Sequence, residues 1–103
     1  MSSKINENLL EVNTLLKEAI IQYNRKNIEE AKLLFSQVLD SDPVNPEANY
    51  YLGLIYSKEE NYKKAVIYLK SVVDTGINFL FTQQCRMILG YIYFKNTEYK
   101  RAE

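Results

Sequence analysis

NYKKA at 61–65 is preceded by NIEEA at 27–31 and followed by EYKRA at 98–102, one motif written three times. The shared alanines, Ala31, Ala65 and Ala102, stand 34 and then 37 residues apart. Reading outward from each alanine finds the same order of side chains. Twelve residues upstream lies a small residue, Ala19, Gly53 or Gly90, and three residues after it come Gln22, Tyr56 and Tyr93. Leu52 and Leu89 precede the second and third small residues, where the first copy has Glu18. Downstream, Phe35 and Leu69 follow the first two alanines by four residues, and Val38 and Val72 by seven. Spacings of three, four and seven put these residues on one face of a helix. Small residues let facing helices approach closely, and larger apolar neighbours fill the space between turns. Each copy therefore reads as a helical hairpin. A unit this short cannot bury a core alone, so the copies must stack in a row and present a long groove.

Local signals divide the chain into helices over about 5–25, 28–40, 46–59, 62–74 and 79–95, with a sixth opening near 98. Asn45, Pro46 and Glu47 make a helix start, with a capping amide, a proline in the first turn and an acid at the positive end of the dipole. Asp42 and Pro43 close the helix before it. Asn27 and Asn61 are placed to cap the second helix of each hairpin, and Gly76 to supply a left-handed helix terminus. Ile5, Leu9, Leu10 and Val12 extend the first helix beyond the hairpin's needs, as a cap on the open end of the array. Three additional residues separate Leu69 from Gly90; they fall around Asp74 to Phe81, where Phe79 and Phe81 flank Leu80, and lengthen the connection or the next helix.

At 103 residues the chain makes one small domain, and an apolar fraction of 47% with only three Gly and two Pro is that of a folded one. Lys plus Arg equals Asp plus Glu at 13 each, so no excess of positive charge exists to neutralise phosphates or an anionic bilayer. Neither nucleic acid nor membrane is expected as a partner. The start, MSSKINENLLEV, has no long apolar core or small-residue cleavage site of a secretory signal. With a single cysteine, Cys85, and no apolar run of membrane-spanning length, a cytoplasmic location is the expectation.

The ordered set of small, aromatic and alanine positions resembles the tetratricopeptide repeat, whose 34-residue signature has a small residue at position 8, an aromatic at 11, alanine at 20, an aromatic at 24 and proline at 32. YYLGLIY at 50–56 carries the first half of that signature, and Pro43 supplies the proline of the first copy. Gln22 departs from the aromatic position, Ile77 from the second proline, and the chain has no tryptophan. The resemblance covers 12–103. It implies an all-α fold, a right-handed α-α superhelix of tandem hairpins forming a solenoid of about 2.5 repeats. The expected divisions are an extension or cap at 1–11, repeat one at 12–45, repeat two with a lengthened connection at 46–82 and an incomplete repeat three at 83–103. Glu103 stands one residue past the alanine that should open the second helix of repeat three. The sequence thus predicts either a piece of a longer protein or a chain that completes itself against another copy, giving a homo-oligomer through the open edge.

In the tetratricopeptide family the first helices line the concave face. The resemblance puts there Asn13, Leu16, Ile20, Tyr23 and Asn24; Glu47, Tyr50, Leu54, Ser57 and Lys58; and Gln84, Met87, Tyr91, Phe94 and Lys95. Leu16, Ile20, Tyr23, Tyr50, Leu54, Met87, Tyr91 and Phe94 form an apolar, aromatic middle, expected to bind a protein or peptide through an apolar or amphipathic segment. Tyrosine buries much area with few rotors, and Met87 adds adaptable packing. The stripe could equally be covered by the chain itself or by a second protomer. In this register Tyr56 and Tyr93 are core residues and Tyr50 and Tyr91 groove residues. The positions at which chaperone-binding relatives clamp a terminal carboxylate are Leu16, Ile20, Tyr51, Gln84 and Ile88, none of them a match.

No catalytic residue, metal site or cofactor is expected, and the function read from the sequence is a non-enzymatic interaction module. The chain has no histidine, the commonest general base and metal ligand. Cys85 sits at a small interior position without a cationic or basic neighbour to activate it. The Glu pairs 29/30 and 59/60 lie at helix ends, where solvated charge is the ordinary reading, as it is for Lys95, Lys100 and Arg101. The alternative is a regulatory or assembly segment of a larger enzyme or secretion-related protein, or a self-associating structural module.

Overall fold

The computed structural model describes residues 2–76 and 79–102, with side chains over 9–76 and 79–97. Among the described residues five helices follow in order: α1 (Ser2–Asn24), α2 (Ile28–Ser41), α3 (Pro46–Lys58), α4 (Tyr62–Asp74) and α5 (Thr82–Ala102). The described residues form no strand. α1 packs on α2 and α3 on α4 as hairpins, α2 on α3 and α4 on α5 between them, and α3 on α5 along the first-helix side. The result is an elongated all-α repeat solenoid, 57 × 30 × 20 Å.

Among the described residues two clusters form the core, and α3 belongs to both. The first holds Val12, Leu16, Ala19, Ala31, Phe35, Val38, Ala48, Leu52 and Ile55; the second holds Tyr50, Ala65, Leu69, Val72, Cys85, Leu89 and Ile92. The motif alanines Ala31 and Ala65 are fully buried, as are Phe35, Leu69 and Val38 at the spacings that follow them. Gly53 shows why the small position exists: a Cβ built there would stand 2.5 Å from Leu69 Cδ2, and Leu69 has no exposed surface into which to retreat.

The hairpin turns share one device. Lys26 and Glu60 adopt left-handed backbone, with φ of 67° and 61°, one residue before Asn27 and Asn61. Asn61 Oδ1 then accepts from the Lys64 amide at 3.4 Å. Asn27 does not cap α2 as the sequence led us to expect. Its amide donates instead to Gln22 Oε1 at 2.7 Å, while Gln22 Nε2 donates to Glu18 at 2.8 Å. Glu18 and Gln22, the two departures of repeat one, are thus one polar chain along the solvent edge. The corresponding Tyr56 of repeat two stacks on Tyr68 at 5.7 Å, with Lys32 and Lys64 each 5.2 Å from its ring centre.

Between repeats, Asn45 Oδ1 accepts from the Ala48 amide at 2.9 Å and its Nδ2 donates to Asp42. The buried Asn49 amide donates to the Pro43 and Asn45 carbonyls, tying the turn to α3. Gly76, with φ 69°, ends α4 in the left-handed conformation expected of it.

α1 starts at Ser2, three residues before the expected start, and the larger differences from the sequence reading are at α5. The fifth helix starts at Thr82, not 79, because Phe79 and Phe81 are drawn down onto Tyr50. No new helix opens near 98, for α5 continues unbroken to Ala102. Where repeats one and two put Lys26 and Glu60 in left-handed backbone, repeat three has Thr97, whose branched Cβ resists that conformation. Glu98 replaces the asparagine at the next position, and Thr97 Oγ1 donates to the Tyr93 carbonyl one helical turn back. Tyr93, expected in the core, is consequently 50% exposed, and nothing lies within 4 Å of a Cβ built at Gly90. In the N-terminal extension Leu9 and Leu10 are exposed and Val12 is buried. The side chain of Ile5, residue Ile77, and the side chains of the EYKRA motif with Lys100 and Arg101 lie outside the described residues.

Candidate functional site

The eight residues singled out along the first helices divide by burial. Leu16 and Tyr50 are 8% and 9% exposed and belong to the two core clusters, which corrects their placement on an open groove. Ile20 and Tyr23 border the first cluster and Leu54 the second, each partly exposed. Met87, Tyr91 and Phe94 are 69%, 51% and 60% exposed. Four and three residues apart, they lie on one face of α5.

Tyr50 is covered because of the residues inserted between the repeats. Phe81 stacks on its ring at 4.7 Å and 15°, and Phe79 meets both rings edge-on. The Tyr50 hydroxyl donates to Gln84 Oε1 at 3.2 Å, holding the first turn of α5 to α3. On its other side Tyr50 meets Tyr51, which contacts Tyr23 edge-on at 5.1 Å and stacks on Phe35 at 5.0 Å. An aromatic row thus crosses from α1 through α3 to the α4–α5 connection. Burial, and secondarily the neighbouring phenols, raise the Tyr50 and Tyr51 hydroxyls above their ordinary pKa. Tyr51, Phe79 and Phe81 were missed as site-forming residues. The available signal was the interval between Leu69 and Gly90, three residues longer than its counterpart, with two phenylalanines bracketing Leu80. Leu80 points away and is 84% exposed.

Lysines on α2, α3 and α5 meet tyrosine rings and glutamates. Lys58 Nζ donates to the Tyr23 hydroxyl at 3.2 Å and sits 5.8 Å from that ring's centre; Lys95 stands 5.7 Å from the ring of Tyr91. Both are cation–π contacts. Lys32 bridges Glu29 and Glu59 at 3.2 and 3.1 Å. Burial alone would lower its pKa, but the hydrogen bonds and charges of the two glutamates raise it on balance. Cys85 is fully buried, and burial pushes its thiol up to about 11, so it remains protonated at neutral pH. Among the described residues no group of three or more acidic or thiol side chains is gathered as a metal site, and no helix is long and apolar enough to cross a membrane.

Residues 24–103, most of the chain, match the family model described as anaphase-promoting complex, cyclosome, subunit 3. The chain belongs to this family. The subunit 3 family is one of tetratricopeptide-type repeats, in agreement with the motif spacing and the stacked hairpins, and such repeats serve generally as non-enzymatic protein-interaction modules. The subunit 3 match takes in α2 to α5 and only the last residue of α1. No curated protein and no solved structure matches the chain significantly.

Proposed function

We propose that the chain is a protein-interaction module that receives an apolar or amphipathic segment of its partner along the first-helix face, chiefly on Met87, Tyr91 and Phe94, with Leu54, Tyr23 and Ile20 at the border. The observation that carries this reading is the exposure of three large apolar side chains at helical spacing on α5. The description of the family after a subunit of a multiprotein complex favours a scaffolding role over a catalytic one. The test is affinity capture with the intact gene product and with a Tyr91→Ala, Phe94→Ala double variant. Because both side chains are largely exposed, the variant keeps its helicity by circular dichroism and loses partner capture about tenfold or more. Undiminished capture contradicts the proposal.

A second reading is self-association, favoured by the open space against Gly90 and the exposed Tyr93 on the neighbouring face of α5. A second copy would then cover the face that the second helix covers in the other hairpins. Light scattering that shows a strict monomer across a wide concentration range contradicts it. An assembly segment of a larger enzyme or secretion-related protein would use the same α5 face.

A further inference from the structure

A cavity of about 520 Å³ lies where the ends of α1 and α3 meet the start of α2. Tyr23, Ile28 and Ile55 give it an apolar wall, and Asn24, Lys26 and Lys58 bring polar groups to it. Lys58 is held in place by its contacts with the Tyr23 hydroxyl and ring. Lys26 is placed by the left-handed turn that ends α1. Neither lysine makes an ion pair among the described residues. Glu59, the acid that also lines the cavity, is hydrogen-bonded to Lys32 through both of its carboxylate oxygens. Two lysines thus line a recess beside apolar surface without an ion-paired carboxylate of their own. Lys95 stands at the same repeat position as Lys58 and is likewise set over a tyrosine ring. The chain as a whole carries no net charge, so this is local patterning and not a general excess of base.

We infer that the partner segment is acidic as well as amphipathic, and that one of its carboxylates is received in this cavity by Lys26, Lys58 and the Asn24 amide while its apolar side chains run toward α5. A carboxylate supplies acceptors for the Lys58 donors not spent on the Tyr23 hydroxyl and for those of Lys26, and the tyrosine and isoleucine wall takes the adjoining carbon chain. The inference rests on the groove reading above and specifies the chemistry of what binds there.

The test is selection of 16-residue helical peptides against the full chain, from a display library with one apolar face fixed and the flanks randomised among acidic, basic and neutral residues. Acidic flanks are expected to be enriched. The selected peptide, synthesised and labelled, is expected to bind the Lys26→Glu, Lys58→Glu double variant at least tenfold more weakly, and to lose affinity with rising salt. Glu60 already occupies the left-handed conformation in the second repeat, so the turn accepts glutamate at 26, and circular dichroism checks the fold. Enrichment without charge bias, in peptides that Tyr91→Ala, Phe94→Ala abolishes, overturns the acidic-site inference and leaves the groove reading standing. An acidic preference that survives the double charge reversal also overturns the site. No enrichment of any peptide overturns both.

Discussion

Gly53 and Gly90 occupy the same position of successive repeats and meet opposite surroundings. A methyl at Gly53 would press on the buried Leu69, whereas one at Gly90 would meet nothing within 4 Å. Gly53→Ala is therefore expected to destabilise by about 1–3 kcal/mol through overpacking. Gly90→Ala should be neutral or stabilising by up to about 1 kcal/mol, since only helix propensity changes. Urea titrations of both variants check the contrast. The sequence marked both as close-approach positions, because the repeat's spacing is blind to what packs against each of them. Tyr93 was misplaced for the same reason, and Tyr50 for a different one: its cover comes from Phe79 and Phe81, residues outside the repeat register. Cys85 makes a pH-dependent residue-level prediction. Its folded thiol titrates at about 11 against an ordinary value of 9.0, so between these values the unfolded chain loses a proton that the folded chain keeps. Stability from this group is present below pH 9 and is lost as pH rises toward 11. Cys85→Ala should flatten the fall of stability measured across that window, whatever its effect at neutral pH.

At the scale of elements, the helices were legible where sequence alone satisfies their ends. Asn45 and Pro46 start α3 and Gly76 ends α4 as read, because cap chemistry is local. The cap at Asn27 was not legible, since Gln22 competes for its side chain from a helix turn away. The missing break near 98 is legible in retrospect, in a β-branched Thr97 where the other turns need positive φ. Lys26 and Glu60 hold that conformation at a cost of about 1–2 kcal/mol relative to glycine's freedom there. Glu60→Gly should accordingly raise stability by about 0.5–1 kcal/mol, as should Lys26→Gly, measured by thermal unfolding followed at 222 nm. A loss of stability in both would mean that the turns draw on side-chain contacts beyond the backbone geometry.

For the whole molecule, the order of repeats and their all-α stacking followed from three pentapeptides because a solenoid has only neighbour-to-neighbour rules to obey. Which surfaces remain open does not follow from those rules. It depends on how an inserted connection folds over α3 and on whether α5 meets a second helix, and both are matters of three-dimensional coverage. The structure leaves Met87, Tyr91 and Phe94 exposed on α5, and a separate recess lined by Lys26 and Lys58 where α1, α2 and α3 meet. The chain has two methionines, Met1 and Met87, so methyl labelling at methionine gives a probe inside the proposed surface and one at the chain's start. The most direct measurement is the methyl NMR spectrum of the intact, methionine-labelled chain titrated with a captured partner or selected peptide. The groove reading predicts that the Met87 methyl signal shifts and saturates with the binding curve. A Met87 signal that stays unmoved at saturating ligand would contradict it.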